Sequence, residues 1–232
     1  MKTAAASAQP NKAHRNIGIR ESFIKAGLDL FGDYGLEGAT TRMLARKAGA
    51  NISAIVYYFG GKDGLYLAVL ERISERFNEL TADCRREIWL RLEGPLDKSA
   101  VLSLLKSLLL SVSQVMEGGL KLKNAEKIIL REQTGPTPAF TALYDGYMKD
   151  VLTLLSSLVA RYTGQPFDSD EAIIRAHTLA GQFITFIATR EALLKNLGVK
   201  KLSAGQKEII HRVVLGNVEA CLKAWAQEGG QS

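Results

Sequence analysis

The feature that most constrains this chain is a pair of short helical patterns separated by a turn, within residues 40–59. Thr40 or Thr41 offers a hydroxyl to the unpaired N–H groups of a new helix, and apolar residues then recur at helical spacing. Gly49 ends that helix, because glycine adopts the left-handed conformation without a side-chain clash. Asn51 is a good cap for a second short helix. The spacing predicts a helix-turn-helix.

An amphipathic helix is predicted upstream, over residues 16–34, with Gly35 as its stop signal. A helix-turn-helix pair cannot bury both of its apolar faces alone, so a further helix is needed to complete a small module. Residues 15–75 are predicted to form that module, which we call the head. Residues 1–14 lack the longer apolar core of a signal peptide and are predicted to be a disordered tail.

The second helix of the pair is predicted to turn Ile55 and Phe59 inward, since residues four apart share one helix face. Its opposite face carries Ile52, Ser53, Ala54, Tyr57 and Tyr58. Such a face can enter the major groove of DNA. The formal net charge of +6 favours a polyanionic partner, although a solvated basic surface would give the same charge.

The head resembles the TetR family of transcriptional regulators. The matching motifs are Leu30-Phe31-x-x-x-Gly35, Ala39-Thr40-Thr41, Ala45-x-x-Ala48-Gly49 and Tyr58-Phe59-x-x-Lys62-x-x-Leu65. Within that family the run from Asn51 to Tyr66 is similar to the CecR-like branch. The later motifs that resemble this branch are Arg131-Glu132-x-x-Gly135-Pro136-Thr137-x-Ala139-Phe140 and Leu179-Ala180-Gly181-Gln182-Phe183.

The resemblance implies an all-α protein in which a three-helix DNA-binding head precedes a larger helical domain, residues 76–228, for effector binding and dimerisation. It implies a repressor that binds a palindromic operator in double-stranded DNA as a homodimer. A small organic effector would release it. The alternative is a helical dimeric adaptor, or a ligand-binding protein, without a DNA function.

The resemblance also assigns roles within the head. Arg42 matches a position that can reach a guanine edge, with Ser53 as a small polar contact and Ile52 and Ala54 against thymine methyls. The family usually has a tyrosine or similar aromatic residue where Val56 stands, and its hydroxyl commonly meets a backbone phosphate. Val56 cannot donate, so the phosphate contacts would come from Thr41, Tyr57, Tyr58 and Lys62. The predicted DNA-binding residues are Thr40, Thr41, Arg42, Asn51, Ile52, Ser53, Ala54, Tyr57, Tyr58 and Lys62.

The rest of the chain keeps a helical period, with breaks where Gly and Pro collect. Helices are predicted over residues 62–92, 98–116, 121–133, 139–162, 169–196 and 204–227. The last two helices are expected to form the dimer interface, because the first of them leaves almost no polar face and must be covered on all sides. Burial inside one subunit is the alternative.

The intermediate helices carry aromatic and polar residues of the kinds that line small-molecule sites. The predicted effector pocket comprises Trp89, Arg131, Glu132, Phe140, Tyr144, Phe183, Phe186 and Arg190, with Tyr147 and Met148 beside them. Each of these residues could instead be ordinary core packing. Arg131 and Glu132 stand out, because adjacent opposite charges on an apolar helix need partners.

An enzyme is not indicated. The three histidines have no metal-ligand spacing, no nucleophile or phosphate-loop motif is present, and we predict neither a cofactor nor a metal site. Cys84 and Cys221 suit a reduced cytoplasmic protein, with a redox role as the weaker alternative. Residues 101–112 are too short to cross a membrane and are interpreted as part of a core helix.

Overall fold

The computed structural model describes residues 10–228, with side chains from Ile17 onward. Those residues are helical and contain no β-strand, which confirms the predicted all-α class. The chain divides into two compact units. The first unit holds the described residues up to Arg76 together with Lys121–Gly146, and the second unit holds Phe77–Leu120 together with the described residues from Tyr147 on.

In chain order the α-helices are α1 (Pro10–Gly38), α2 (Thr41–Ala48), α3 (Ser53–Phe59), α4 (Lys62–Leu92), α5 (Lys98–Gln114), α6 (Ala125–Thr134), α7 (Thr141–Leu143), α8 (Lys149–Thr163), α9 (Asp170–Ala188), α10 (Arg190–Leu197) and α11 (Ala204–Glu228). A 3₁₀ turn at Pro138–Phe140 precedes α7. Wider π-helical turns follow α5 at Val115–Gly119 and precede α8 at Tyr144–Met148.

The helix bounds of α4 agree with the prediction at both ends, and other bounds differ. Helix α1 begins at Pro10, within the predicted disordered tail, and residues 1–9 of that tail lie outside the described residues. Gly35 has a φ of 74° and kinks α1 instead of ending it. The helix predicted over residues 169–196 is interrupted at Thr189, whose ψ of 22° departs from helical geometry.

The core of the head is built by α1, α2, α3 and the start of α4. Phe23 and Phe31 of α1 are fully buried, and so are Leu44 and Ile55. The ring of Phe59 meets that of Phe23 edge to face, with their centroids 6.0 Å apart. The predicted inward face of α3 is thus confirmed, and the opposite face stays outside this core.

Helix α6 belongs to the first unit because it is bonded to α1. The Arg131 guanidinium donates to the Phe31 carbonyl oxygen at 2.6 Å, and the Asn124 amide donates to the Asp29 carbonyl oxygen at 3.2 Å. Gly32 permits this approach, since a Cβ there would lie 2.2 Å from the Asn124 Cβ. Residues 121–146, predicted with the second domain, therefore group with the head.

A buried carboxylate joins α6 to α4 in the same unit. Glu132 is 1% exposed, and it accepts a hydrogen bond from the Tyr66 hydroxyl at 2.7 Å. It also accepts from the Thr137 N–H at 3.0 Å and from the Thr137 hydroxyl. Burial and the adjacent Glu132 carboxylate raise the pKa of Tyr66, so its hydroxyl remains a donor.

The second unit has its own core, in which α8 packs against α5, α9 and α11. Leu105, Leu108, Leu158 and Val218 are fully buried there. The stretch Lys98–Gly119 is long and apolar enough to cross a membrane by length and composition alone. Leu104, Leu105, Leu108 and Leu109 of this stretch are buried in the core, which agrees with the predicted core helix.

The second unit also contains a cluster of polar side chains around Glu117. The Glu117 carboxylate accepts from the Ser113 hydroxyl at 2.6 Å and is 2.8 Å from the His211 Nε2, with the Lys207 ammonium at 3.5 Å. Burial raises the pKa of Glu117, but the hydrogen bonds from Ser113 and His211 outweigh burial and hold the pKa below its ordinary 4.5.

Replacing Tyr66 by Phe is expected to destabilise the protein by about 2 kcal/mol, because a buried carboxylate loses a hydrogen-bond donor. The free energy of unfolding in urea measures the effect. Tyr144→Phe is the matched control, since it makes the same chemical change in the same unit at a half-exposed ring. Equal unfolding free energies for the two variants would contradict the structural role of the Tyr66 hydroxyl.

Replacing Glu117 by Gln is expected to cost about 1 kcal/mol at neutral pH. A carboxyl group whose pKa falls on folding contributes stability above its ordinary pKa, and this contribution is lost as the pH falls through the lowered value. The gap between wild type and Glu117→Gln should therefore close below about pH 4.5. Chemical unfolding from pH 7 to pH 3 tests this, with Glu208→Gln of α11 as the exposed control. A gap independent of pH would refute it.

Candidate nucleic-acid interface

Helix α2 is fixed at both ends by its own caps. Thr40 has an extended backbone, and its Oγ1 accepts from the Met43 N–H at 3.2 Å, so Thr40 and not Thr41 is the cap. At the other end Gly49 takes the left-handed conformation, with a φ of 65°. Its N–H donates to the Arg46 carbonyl oxygen at 3.3 Å. Both predicted helix signals are confirmed.

The turn into α3 depends on Asn51. Its Oδ1 accepts from the Ser53 N–H at 2.9 Å and from the Ser53 hydroxyl at 3.0 Å. Helix α3 begins at Ser53, and Ile52 before it makes no side-chain cap bond. The Ser53 hydroxyl proton is directed to Asn51, so its oxygen retains lone pairs that can accept a hydrogen bond from a base.

The outward face of α3 is apolar and aromatic. Tyr57 is 77% exposed, Val56 is 66% exposed and Ile52 is 46% exposed. The Tyr57 ring meets the Tyr58 ring edge to face at 4.8 Å, which directs the two rings differently. The sequence of α3, Ser-Ala-Ile-Val-Tyr-Tyr-Phe, contains no charged residue. Any contact of this face with bases is therefore made without ionic groups.

Basic residues flank this face on the neighbouring helices. Arg42 and Arg46 of α2 are exposed, and Lys47 pairs with Asp29 at 3.0 Å. The Lys62 ammonium, predicted to contact phosphate, donates to the Leu36 carbonyl oxygen at 2.9 Å and so ties the start of α4 to the end of α1. An ammonium has three donors, so this bond leaves Lys62 two for a phosphate.

The predicted effector residues are divided between the two units. The first unit contains Arg131, Glu132, Phe140 and Tyr144. Arg131 donates to the Phe31 carbonyl oxygen, and Glu132 accepts from the Tyr66 hydroxyl. The rings of Phe140 and Tyr144 are 6.1 Å apart. The hydrogen bonds of Arg131 and Glu132 serve the structure of the first unit itself.

The other four lie in the second unit. The Trp89 indole N–H donates to the Asp150 carboxylate at 3.1 Å, and Asp150 also pairs with Arg85. Phe183 is buried in the core, with its ring 6.0 Å from that of His211. Phe186 packs against the same core. The Arg190 guanidinium is exposed and lies 3.5 Å from the Glu191 carboxylate. The neighbouring Tyr147 and Met148 are buried. Phe183 and Phe186 therefore share one core, whereas Trp89 and Arg190 have polar partners of their own.

A cavity that the sequence did not predict lies between α4 and α5 of the second unit. Its volume is about 170 Å³, and its lining is Cys84, Glu87, Ile88, Arg91, Ala100, Ser103, Leu104 and Ser107. Burial raises the pKa of the Cys84 thiol, which disfavours the reactive thiolate. The available sequence signal was the pair Ser103 and Ser107, which lie four residues apart on an otherwise leucine-rich helix.

Two family models of known proteins match this chain, one in its N-terminal part and one in its C-terminal part. The family model for bacterial regulatory proteins of the tetR family matches residues 23–69. The family model for the C-terminal domain of the HTH-type transcriptional dual regulator CecR matches residues 103–225, which is more than half of the chain. The two matches cover the helix-turn-helix and most of the second unit.

Individual relatives agree with these models. The dual regulator CecR of Shigella flexneri is 29% identical over 212 residues, which cover 90% of this chain and 93% of that protein. The transcriptional repressor NicS of Pseudomonas putida is 31% identical over 88 residues, 38% of this chain and 40% of NicS. A TetR-like transcriptional regulator from Rhodococcus sp. RHA1 has the same fold, with a TM-score of 0.54 at 16% identity over 92% of this chain and 96% of that one.

These relatives are transcriptional regulators and not enzymes, in agreement with the sequence-based prediction. The tetR family match runs from α1 to α4 and includes the capped helix α2 and the exposed helix α3. The chain therefore belongs to the TetR family of transcriptional regulators, in the branch of CecR.

Proposed function

We propose that this regulator binds a palindromic operator as a homodimer in the cytoplasm, represses transcription there, and is released by a small organic effector. The observation that carries the proposal is the outward face of α3, where Val56 and Tyr57 are exposed between the basic residues of α2 and the start of α4. A short helix with this exposure fits the major groove of B-DNA.

Within this proposal the head divides its contacts by chemistry. The Arg42 guanidinium can donate two parallel hydrogen bonds to the O6 and N7 atoms of a guanine. Thr41, Tyr57, Tyr58 and Lys62 offer hydroxyl and ammonium donors that suit phosphate oxygens. Thr40 and Asn51 act indirectly, because their side chains hold the helix starts. Phosphate contacts position the head, and the bases are read from α2 and α3.

The dimer proposal rests on the outer faces of α9 and α11. Ile174 and Ile184 of α9 are exposed, and so are Ile209 and Val213 of α11. Gly181 and Gly216 lie on the same outer faces, and a Cβ added at either one would meet nothing within 4 Å. Small residues of this kind allow a partner helix to approach closely. A two-fold pairing of the α9 and α11 faces would match the symmetry of a palindrome.

The effector proposal gains a candidate location in the second unit. The cavity between α4 and α5 combines the apolar Ile88 and Leu104 with the polar Glu87, Arg91 and Ser103, as small-molecule sites do. Helix α4 runs from Lys62 beside the DNA-binding face to Arg91 at this cavity. A ligand that binds one position of α4 more tightly than another would shift the head between states.

Activation is the second candidate output. The Shigella flexneri relative, which aligns with 90% of this chain, is named a dual regulator, whereas the shorter match NicS is named a repressor. The same DNA contacts serve both outcomes, because the position of an operator relative to the promoter decides whether polymerase is blocked or recruited. Transcription in vitro from a promoter that contains the selected operator, measured with and without the protein, separates repression from activation.

Selection from random duplex DNA with the purified full chain is expected to enrich a palindrome bound at nanomolar affinity. Arg42→Ala should weaken that binding by about a hundredfold, since a bidentate guanine contact is lost in each half-site. Affinity should also fall steeply between 50 and 200 mM salt. The control is Arg86→Ala, an exposed arginine of the second unit. No enrichment over bulk DNA, with the protein folded, would favour the adaptor alternative.

Sedimentation at micromolar concentration is expected to show a dimer for the wild type and a monomer for Val213→Asp, because a charge would be buried in the proposed interface. Leu90→Asp is the control, since Leu90 is also an exposed aliphatic residue of the second unit. Circular dichroism confirms that both variants are folded. A monomeric wild type, or a Val213→Asp variant that stays dimeric, would remove the dimer proposal.

A further inference from the structure

Two opposite charges line the cavity between α4 and α5 without binding each other. Glu87 and Arg91 are four residues apart on α4, a spacing at which an acidic residue and a following basic residue form an ion pair. The same spacing is closed in α9, where Glu171 pairs with Arg175. Among the described residues neither Glu87 nor Arg91 makes an ion pair. Both charges are therefore available to a ligand in the cavity.

The facing wall of the cavity, on α5, carries two hydroxyl groups. Ser103 and Ser107 line the cavity and are exposed. A serine within a helix can donate to the carbonyl oxygen four residues earlier, as Ser156 does to Leu152 at 2.8 Å. In the part of the chain that the structure describes, neither Ser103 nor Ser107 makes a hydrogen bond through its hydroxyl. Each hydroxyl can therefore donate to an anionic oxygen or accept from an ammonium.

The floor of the cavity is apolar and belongs to a packed core. Ile88 is 1% exposed and Leu104 is 7% exposed, and both are members of the core of the second unit. The start of α5 is held by its own cap, because the Asp97 carboxylate accepts from the Ala100 N–H at 2.7 Å, and Ala100 also lines the cavity. A site that is formed before its ligand arrives needs little ordering when the ligand binds.

The size and charge of the cavity limit the class of ligand. A cavity of about 150 Å³ accommodates a benzene ring, so the volume of about 170 Å³ suits a ligand of roughly six to ten non-hydrogen atoms. A ligand with one charge would be attracted by either Glu87 or Arg91 and repelled by the other. A ligand with a cation and an anion would satisfy both side chains, and a short aliphatic part would cover the floor.

We propose that this cavity binds a small zwitterion of the aliphatic α-amino-acid class. The carboxylate of the ligand would bind to Arg91, and its ammonium would bind to Glu87. Its aliphatic side chain would lie on Ile88 and Leu104, with the hydroxyls of α5 as additional partners of the two charged groups. The inference rests on the proposed effector function and deepens it, since it names the chemistry of the effector.

Calorimetric titration of the purified full chain, without DNA, tests the inference with three compounds of similar shape. L-leucine carries both charges, 4-methylpentanoate lacks the ammonium, and 3-methylbutylamine lacks the carboxylate. L-leucine is expected to bind about tenfold more tightly than either of the other two, since each omission removes one charge-assisted contact.

Two variants assign the charges of the ligand to their partners. Arg91→Gln should weaken L-leucine binding about tenfold without weakening the binding of 3-methylbutylamine, which has no carboxylate to lose. Glu87→Gln should weaken L-leucine binding to the same extent without weakening that of 4-methylpentanoate. Arg86→Gln is the control, because Arg86 is an exposed arginine of α4 that does not line the cavity. Circular dichroism checks that each variant is folded.

The outcomes separate this inference from the proposed function. Tighter binding of L-leucine that each variant reduces in its own way supports the inference. No binding of L-leucine at millimolar concentration overturns it, and so does equal binding of the three compounds, while the operator proposal stands. The selected operator is then titrated in the presence of L-leucine. L-leucine that binds to the cavity and leaves operator affinity unchanged supports the inference and overturns the effector role of the cavity.

Discussion

The buried carboxylate of Glu132 is the contact on which the first unit depends. Removing a charge from water costs several kcal/mol, so Glu132 can lie in the interior only while donors surround it. The Tyr66 hydroxyl and the N–H and hydroxyl of Thr137 supply them. Tyr66 in turn packs edge to face on Phe31, with ring centroids 4.9 Å apart. One side chain thereby fixes α1, α4 and α6 together.

The same contacts hold the helices next to the candidate DNA-binding face of α3. Helix α4 is joined to α1 at its first residue, through Lys62 and the Leu36 carbonyl, and again one turn later through Tyr66 and Phe31. Helix α1 also packs against α2, and the ends of α2 are capped by Thr40 and Gly49. Helix α6 is bonded to α1 through Arg131 and to α4 through Glu132. These hydrogen bonds link the helices of the first unit to one another.

The parts of the fold that obey local rules could be predicted from the sequence. The Thr40 cap, the Gly49 stop and both ends of α4 depend only on nearby residues. The roles of Arg131 and Glu132 could not be predicted. The pattern shows only that two charges need partners, and Tyr66 is 66 residues from Glu132. The Arg131 partner is a backbone carbonyl, which no residue type reveals. The predicted effector residues share a composition, which carries no information on position, and they fall in two different units.

The uncharged face of α3 also affects how specificity responds to salt. The phosphate contact proposed for the Lys62 ammonium would release counterions, so its contribution would weaken as salt rises. An apolar contact between this face and a base would release none, and its contribution would come from apolar surface removed from water. Under the proposed function, non-specific binding would therefore decline with salt while the base preference contributed by α3 persists. The uncharged α3 would keep its part of the discrimination at high salt, because its contacts do not depend on ionic groups.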